Sequence, residues 1–184
     1  MKGGEVMNYT SEMEILPFMQ KENTCCFTGH RNLPEGDVEA IVGKLDHAIK
    51  LLAHAGYEYF ICGGALGFDM LAAERVIHAA KSNPKVKLVL ALPCRNQTEK
   101  WVKEQDGIEL VRKYHAIRGF ASAVYYIEDF YTSDCMKRRN YSMVERSSFC
   151  VAYYNHKFRS GAGQTYRRAE KDGLKIYNIF DLVK

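Results

Sequence analysis

Short apolar segments alternate with amphipathic segments along almost the whole chain, and this alternation is the feature that most restricts its fold. The segment Leu88–Leu92 is apolar without interruption, as expected of a strand buried on both faces. Between Asp37 and Ala55, apolar residues recur at the spacing of a helix with one buried face. Elements in this order form βαβ units. The sequence therefore predicts an α/β fold: a single Rossmann-like domain with a mainly parallel sheet and helices on both faces.

The same patterns, with glycine and proline at their boundaries, place the individual elements. Strands are predicted at residues 24–28, 59–62, 86–92, 123–127, 149–154 and 175–180. Helices are predicted at residues 37–55, 69–82, 98–117, 136–146 and 163–171, the third either continuous or broken at Gly107. Residues 1–22 are polar and show no periodic pattern. We therefore expect a flexible N-terminal extension, residues 1–22, followed by one Rossmann-like domain over residues 23–184.

The composition is that of a soluble globular protein, with 47% hydrophobic and 26% charged residues. The apolar runs are far shorter than the ~20 residues that span a membrane, and the N-terminus lacks the apolar core of a signal peptide. We therefore expect a cytoplasmic protein with no membrane partner. The six cysteines lack the spacing of a zinc site and four lie in apolar strands, so we expect reduced thiols and no metal site.

Four of the predicted strands are followed by segments that are rich in glycine and polar residues. They are residues 28–31, 63–69, 93–97 and 155–165, after the first, second, third and fifth strands. In an open parallel sheet, the carboxyl ends of the strands share one edge, and ligands bind there where the strand order reverses. We therefore expect the four segments to form one site.

The segment 63–69 joins the second strand to a helix. Glycine lets backbone N–H groups approach an anion closely, and a helix N-terminus adds a partial positive charge. The spacing is neither that of a Walker A loop nor that of the dinucleotide fingerprint. We predict that a phosphate-bearing ligand contacts Gly63, Gly64, Ala65, Gly67 and Phe68. Asp69 is either an acceptor for ribose hydroxyls or a cap of the helix, and the sequence leaves both open.

A second small-residue loop begins the helix after the fifth strand. We predict that Ser160, Gly161, Gly163 and Thr165 hold a phosphate at this helix N-terminus. The alternative is an ordinary surface loop with a helix cap.

The end of the first strand carries Thr28 and Gly29, followed by a titratable and a cationic side chain. Arg31 can pair with a phosphate through two hydrogen bonds. His30 can donate to the ligand, act as an acid or base, or cap the backbone. All four residues are predicted ligand contacts.

Gln97, Arg139 and Asn140 complete the predicted site. Arg139 and Asn140 lie in a basic segment, Lys137-Arg138-Arg139-Asn140, which is alternatively an exposed helix face. Trp101 and Phe68 are the candidates for stacking on a base. The net charge is +4, and the positive surplus lies in residues 91–184, where seventeen Lys and Arg stand against eleven Asp and Glu. Such a surplus fits a small anionic ligand as well as a nucleic acid.

Four motifs together resemble the YpsA-like family of the SLOG superfamily, to which DprA and the LOG phosphoribohydrolases also belong. They are Phe27-Thr-Gly-His-Arg31, Cys62-Gly-Gly-Ala-Leu-Gly-Phe-Asp69, the segment 93–97 and Met136-x-x-Arg-Asn140. The resemblance covers about residues 23–180. It implies a Rossmann-like fold that binds nucleotides or their derivatives, with ADP-ribose or NAD-related molecules as ligands.

The resemblance leaves three functions open. The first is a sensor or regulatory protein that binds a nucleotide-derived ligand. The second is a LOG-like enzyme that cleaves an N-glycosidic bond, with Asp69, Glu170 or His30 as the catalytic candidates, although the LOG segment Pro-Gly-Gly-x-Gly-Thr is replaced here by Ser160-Gly-Ala-Gly-Gln-Thr165. The third is DprA-like binding of single-stranded DNA. The sequence does not determine the cofactor, the ligand or whether the chain forms a homo-oligomer.

Overall fold

The protein, seen in a computed structural model, is described over residues 16–103, 105–157 and 160–183. The strands are β1 (Thr24–Gly29), β2 (Tyr59–Cys62), β3 (Lys87–Leu92), β4 (Ala123–Tyr126), β5 (Phe149–Tyr153) and β6 (Lys175–Asn178). The α-helices are α1 (Val38–His54), α2 (Phe68–Ser82), α3 (Gly107–Phe120), α4 (Cys135–Glu145) and α5 (Gly161–Lys171).

The six strands form one sheet in the order β4-β3-β2-β1-β5-β6, and every neighbouring pair is parallel. The chain starts at β1, adds strands on one side as far as β4, and then crosses to the other side of β1 to lay down β5. The strand order therefore reverses between β1 and β5, which is where an open parallel sheet offers a crevice for a ligand. The predicted fold class is confirmed.

The sheet is buried on both faces, as its apolar strands require. One face packs against α1, α2 and α3, with Phe27, Phe60 and Leu90 in its core. The other face packs against α4 and α5 and contains Ile61 and Met143. Consecutive strand residues point to opposite faces, so side chains of one strand are divided between the two cores.

The region after β3 confirms the predicted break at Gly107 but not the helix predicted before it. A short 3-10 turn, Trp101–Lys103, comes first, and α3 begins only at Gly107. The reason is local backbone geometry. Asp106 has a positive φ of 58°, and a Cβ at Gly107 would overlap the carbonyl oxygen of Trp101. The chain therefore folds back on itself at this point, and residues 97–101 stay at the edge of the sheet.

The N-terminal prediction falls largely on residues 1–15, which lie outside the described part of the chain. Residues 16–23 form two 3-10 turns, and Thr24 Oγ1 donates a hydrogen bond of 2.7 Å to the carbonyl of Gln20. All six cysteines are buried with free thiols. No described helix has the length and apolarity needed to cross a membrane. In the described residues, His, Cys, Asp and Glu do not group as metal ligands.

Candidate functional site

A cavity of about 250 Å³ opens at the carboxyl edge of the sheet, beside the reversal of strand order. Its lining comes from five segments that are distant in sequence, within residues 28–31, 65–69, 97–101, 136–140 and 160–165. The volume is slightly below the ~300–1,000 Å³ of typical small-molecule sites. The cavity is therefore of a size to hold one part of a small-molecule ligand.

The loop between β2 and α2 is held closed by Asp69, in the first turn of α2. The Gly63 N–H donates to Asp69 Oδ2 at 3.1 Å, and the Ala65 N–H also donates to this carboxylate. Gly64 and Gly67 both have positive φ, which lets the loop turn this sharply. The amide of Gly63 is thus occupied from within the protein. This differs from the expectation that the loop presents this amide to a phosphate.

Arg139, on α4, is a buried cation in the wall of the cavity. Its guanidinium donates to the carbonyl of Gly63, its Nε donates to Asn140 Oδ1 at 2.7 Å, and Nη1 lies 3.9 Å from Asp69 Oδ2. Burial lowers the pKa of Arg139 and raises the pKa of Asp69, and at 3.9 Å their attraction does not offset the lost hydration. A buried guanidinium whose carboxylate partner is this distant is well suited to pair with an anion that enters the cavity.

The N-terminus of α5 forms the opposite wall. Ser160 caps the helix, since its Oγ accepts a hydrogen bond of 3.1 Å from the Gly163 N–H. Thr165 Oγ1 donates back to the carbonyl of Gly161 at 3.0 Å and so closes the first turn. The N–H groups of Gly161 and Ala162 belong to the first turn of the helix, where no intrahelical acceptor exists. They therefore add donors and a partial positive charge to this wall.

His30 lies between β1 and β5 and is fixed by its neighbours. The backbone N–H of Asn155 donates to His30 Nε2 at 3.1 Å, so the neutral ring carries its proton on Nδ1. The ring also contacts the rings of Tyr153, Tyr154 and Phe180. Burial lowers the pKa of His30 from its ordinary value. The histidine therefore ties the segment after β5 to the end of β1 as long as it is neutral.

Comparison with protein families identifies the chain. The model of the YspA SLOG family matches residues 26–182, which is nearly the whole of the domain. The chain belongs to the YspA SLOG family. The resemblance predicted from the four sequence motifs is confirmed, and these motifs include most of the segments that meet at the cavity.

The curated relatives of this YspA SLOG chain are named only as UPF0398 proteins. The protein of Brevibacillus brevis is 45% identical over 26% of this chain and 25% of its own length. The protein of Bacillus velezensis is 23% identical over 67% of this chain and 69% of its own. The protein of Bacillus cereus is 27% identical over 74% of this chain and 72% of its own. Their names give no activity.

Among solved structures, DNA processing protein A from Helicobacter pylori has a similar fold. The structure, described for its single-stranded DNA binding mode, has a TM-score of 0.54 and is 14% identical to this chain. The match covers 87% of this chain and 78% of that chain. At this identity the likeness shows a shared fold and no more.

Most residues that the sequence predicts for the site line the cavity. They are Thr28, Gly29, His30, Arg31, Ala65, Asp69, Gln97, Arg139, Asn140, Ser160, Gly161 and Thr165, together with the stacking candidate Trp101. The sequence analysis missed three lining residues, Leu66, Met136 and Ala162. Met136 and Ala162 lie in the first turns of α4 and α5, and a first-turn position in a helix that begins at this edge is the signal that would have found them.

Other predicted residues lie behind the lining and support it. Gly63, Gly64, Gly67 and Gly163 shape the two loops without lining the cavity. Phe68 differs most from its prediction as a stacking residue: it is fully buried, and its ring stacks on that of Tyr153 at 5.8 Å. Glu170 is exposed, in the second half of α5, and does not line the cavity.

His30 is expected to make the stability of the domain fall with acidification. The folded-state pKa of His30 is below its ordinary value of about 6.5, so the stabilisation is complete above that value and is lost as the pH falls through the folded-state pKa. Between pH 7 and pH 5, Tm should drop more for the wild type than for His30→Gln, which retains an acceptor but does not titrate. The matched control is His54→Gln, at the exposed end of α1. Equal pH dependence of the wild type and His30→Gln would refute this role.

Proposed function

We propose that the chain binds a nucleotide-derived ligand, such as ADP-ribose or an NAD-related molecule, and acts as a sensor or regulatory protein. One observation carries the proposal: the buried guanidinium of Arg139 and the N-terminus of α5 line the same cavity at the reversal of strand order. A phosphate bound there meets a cation and helix N–H groups together, and charge-assisted hydrogen bonds of this kind are strong.

The neighbouring surface supports a ligand longer than a single nucleotide. A second cavity, of about 480 Å³, shares His30 and Arg31 with the first. Its other lining residues include Pro34, Tyr153 and Phe180. A ligand with two sugar-bearing ends, such as ADP-ribose, would lie across His30 and Arg31 with one end in each cavity.

The substitution Gly161→Glu tests the proposal with little disturbance of the fold. A Cβ at Gly161 meets only Asn140 Nδ2, at 3.9 Å, so the new side chain has space towards the cavity. A carboxylate at the first position of a helix is favourable for the helix but repels a phosphate. We expect Gly161→Glu to keep the Tm of the wild type and to weaken ADP-ribose binding at least tenfold in isothermal titration calorimetry.

The control for this experiment is Gly119→Glu, because Gly119 is exposed near the end of α3 and nothing lies within 4 Å of its Cβ position. This variant should bind ADP-ribose as the wild type does. The proposal fails if the wild type binds none of ADP-ribose, NAD and AMP at millimolar concentration. It also fails if Gly161→Glu binds them unchanged.

Hydrolysis of an N-glycosidic bond is the second candidate, because Asp69 is a carboxylate in the lining whose pKa is raised by burial. Its oxygen is already engaged by the Gly63 N–H, and Glu170 lies outside the cavity. We therefore favour binding over hydrolysis. Base released from AMP or NAD by the wild type, and not by Asp69→Asn, would reverse this preference.

Single-stranded DNA is the third candidate, suggested by the fold shared with DNA processing protein A. The exposed Lys137 and Arg138 lie on the same helix as the lining residue Arg139. Binding through phosphates of DNA weakens steeply as the salt concentration rises. DNA affinity that exceeds ADP-ribose affinity and falls in this way would favour this candidate.

A further inference from the structure

Gln97 is a buried polar side chain in the cavity wall whose carboxamide nitrogen is hydrogen-bonded and whose carboxamide oxygen is not. It is 7% exposed, and its Nε2 donates to the carbonyl of Gly64 at 2.7 Å. Its Oε1 is buried, and no described residue donates to it. Buried acceptors are almost always paired in folded proteins, so we expect this oxygen to accept a hydrogen bond from a ligand in the cavity.

The orientation of this carboxamide is fixed by its neighbour. Rotating the amide by 180° would place Oε1 against the Gly64 carbonyl oxygen at 2.7 Å, and two acceptors repel at this distance. On the side away from Gly64, Gln97 therefore offers an acceptor and not a donor. A ligand group that only accepts hydrogen bonds, such as a phosphate oxygen, does not suit this position.

The same loop holds both Gln97 and Arg139, which is a donor in the lining of the cavity. The carbonyl of Gly63 accepts a hydrogen bond from Arg139, and the carbonyl of the next residue, Gly64, accepts one from Gln97. Asn140 Oδ1 accepts from Arg139 Nε, so the amide that Asn140 presents towards Gly161 is the donor Nδ2. Because Gln97 lines the same cavity as these donors, a phosphate on Arg139 and α5 would leave Gln97 to the next group of the ligand. In a nucleotide that group is the pentose.

We propose that Gln97 determines the specificity of the site, because its Oε1 accepts a hydrogen bond from a pentose hydroxyl of the ligand. The site thereby selects ribose over a deoxyribose that lacks this hydroxyl. A site built to hydrogen-bond a hydroxyl rejects the analogue without it more strongly than an apolar pocket rejects a missing methylene, since a buried polar group is left unpaired. This inference rests on the proposed nucleotide binding.

The test compares AMP, 2′-deoxy-AMP and 3′-deoxy-AMP in calorimetric titrations of the wild type and of Gln97→Met. We expect the wild type to bind one of the two deoxy forms at least tenfold more weakly than AMP. Gln97→Met has a similar volume and no acceptor of comparable strength, so its affinities for the three ligands should agree within about threefold. The control Gln105→Met makes the same exchange at an exposed turn outside the lining, and it should keep the discrimination of the wild type.

The outcomes separate the two proposals. If the wild type binds all three nucleotides with equal affinity, water satisfies Gln97 and the specificity role is wrong while nucleotide binding stands. If none binds, and ADP-ribose and NAD do not bind either, the proposed function fails and this inference fails with it. If Gln97→Met does not fold, as seen by thermal unfolding, the ligand series on the wild type decides alone.

Discussion

The substitution Gly67→Ala is expected to unfold the domain at a temperature several degrees below that of the wild type. Gly67 immediately precedes α2 and has φ 81° and ψ −123°, a conformation that side-chain-bearing residues rarely adopt. A Cβ at this position would overlap the carbonyl oxygen of Arg31. That oxygen is backbone and cannot rotate away. Strain and overlap together should cost at least about 3 kcal/mol.

The free-energy loss at Gly67 corresponds to a fall in Tm of roughly 6–12 °C for a chain of this size. The overlap also displaces the bond from the Phe68 N–H to the His30 carbonyl, so ligand affinity should fall with stability. Gly43→Ala is the matched control, since Gly43 lies exposed within α1 with nothing within 4 Å of its Cβ position. There alanine should stabilise by about 0.5–1 kcal/mol. A Gly67→Ala variant as stable as the wild type would show that the loop relaxes freely.

The substitution Asp69→Ala should have an effect of similar size for a different reason. It leaves the buried guanidinium of Arg139 without its carboxylate and the N–H groups of Gly63 and Ala65 without their acceptor. Removing one partner of a buried ion pair costs about 3–5 kcal/mol because the remaining charge stays buried. Chemical denaturation should report this loss. Asp69→Asn keeps an acceptor for the loop and should lose less than Asp69→Ala.

Asp46→Ala is the control that separates burial from pairing. Asp46 forms a bidentate pair with Arg75 at 2.7 and 2.8 Å, which is better geometry than the 3.9 Å pair of Asp69 and Arg139. The pair is partly exposed, so its loss should cost no more than about 1 kcal/mol. If Asp46→Ala destabilises the protein more than Asp69→Ala does, burial is not what makes Asp69 important.

Because its pKa is raised, the contribution of Asp69 to the stability of the domain depends on pH. The folded protein holds this proton to a higher pH than the unfolded chain does. Stability from this group is therefore greatest near and below its ordinary pKa of about 3.9 and decreases as the pH rises through the folded-state pKa. The stability of the wild type relative to Asp69→Asn should therefore decrease as the pH rises across this range.

The sheet could be predicted from the sequence because its determinants are local. The apolar strands, the helical spacing between Asp37 and Ala55, and the glycines after β1 and β2 each mark a boundary within a few residues. The segment from Thr98 to Asp106 could not be assigned in this way. Its helical composition is overridden by the approach of Gly107 to the Trp101 carbonyl, which depends on how the chain folds back.

The candidate site was predictable in its position but not in its contacts. The rule for parallel sheets brings the loops together, yet nothing near Asp69 in sequence shows that it pairs with Arg139, seventy positions later. The burial of Arg139 has a weak signal: Cys135, Arg139 and Met143 recur every four residues and are all buried on one face of α4. Within the run Lys137-Arg138-Arg139 this signal is masked by the charges on either side.

The walls of the cavity come from the two halves of the chain. The segments at 28–31, 65–69 and 97–101 are synthesised first, and those at 136–140 and 160–165 follow. A nascent chain that has emerged only as far as β4 has three of the five lining segments, because α4 and the N-terminus of α5 come later. The last two crossovers complete the cavity, so any ligand that contacts all five segments would stabilise only chains that have finished folding.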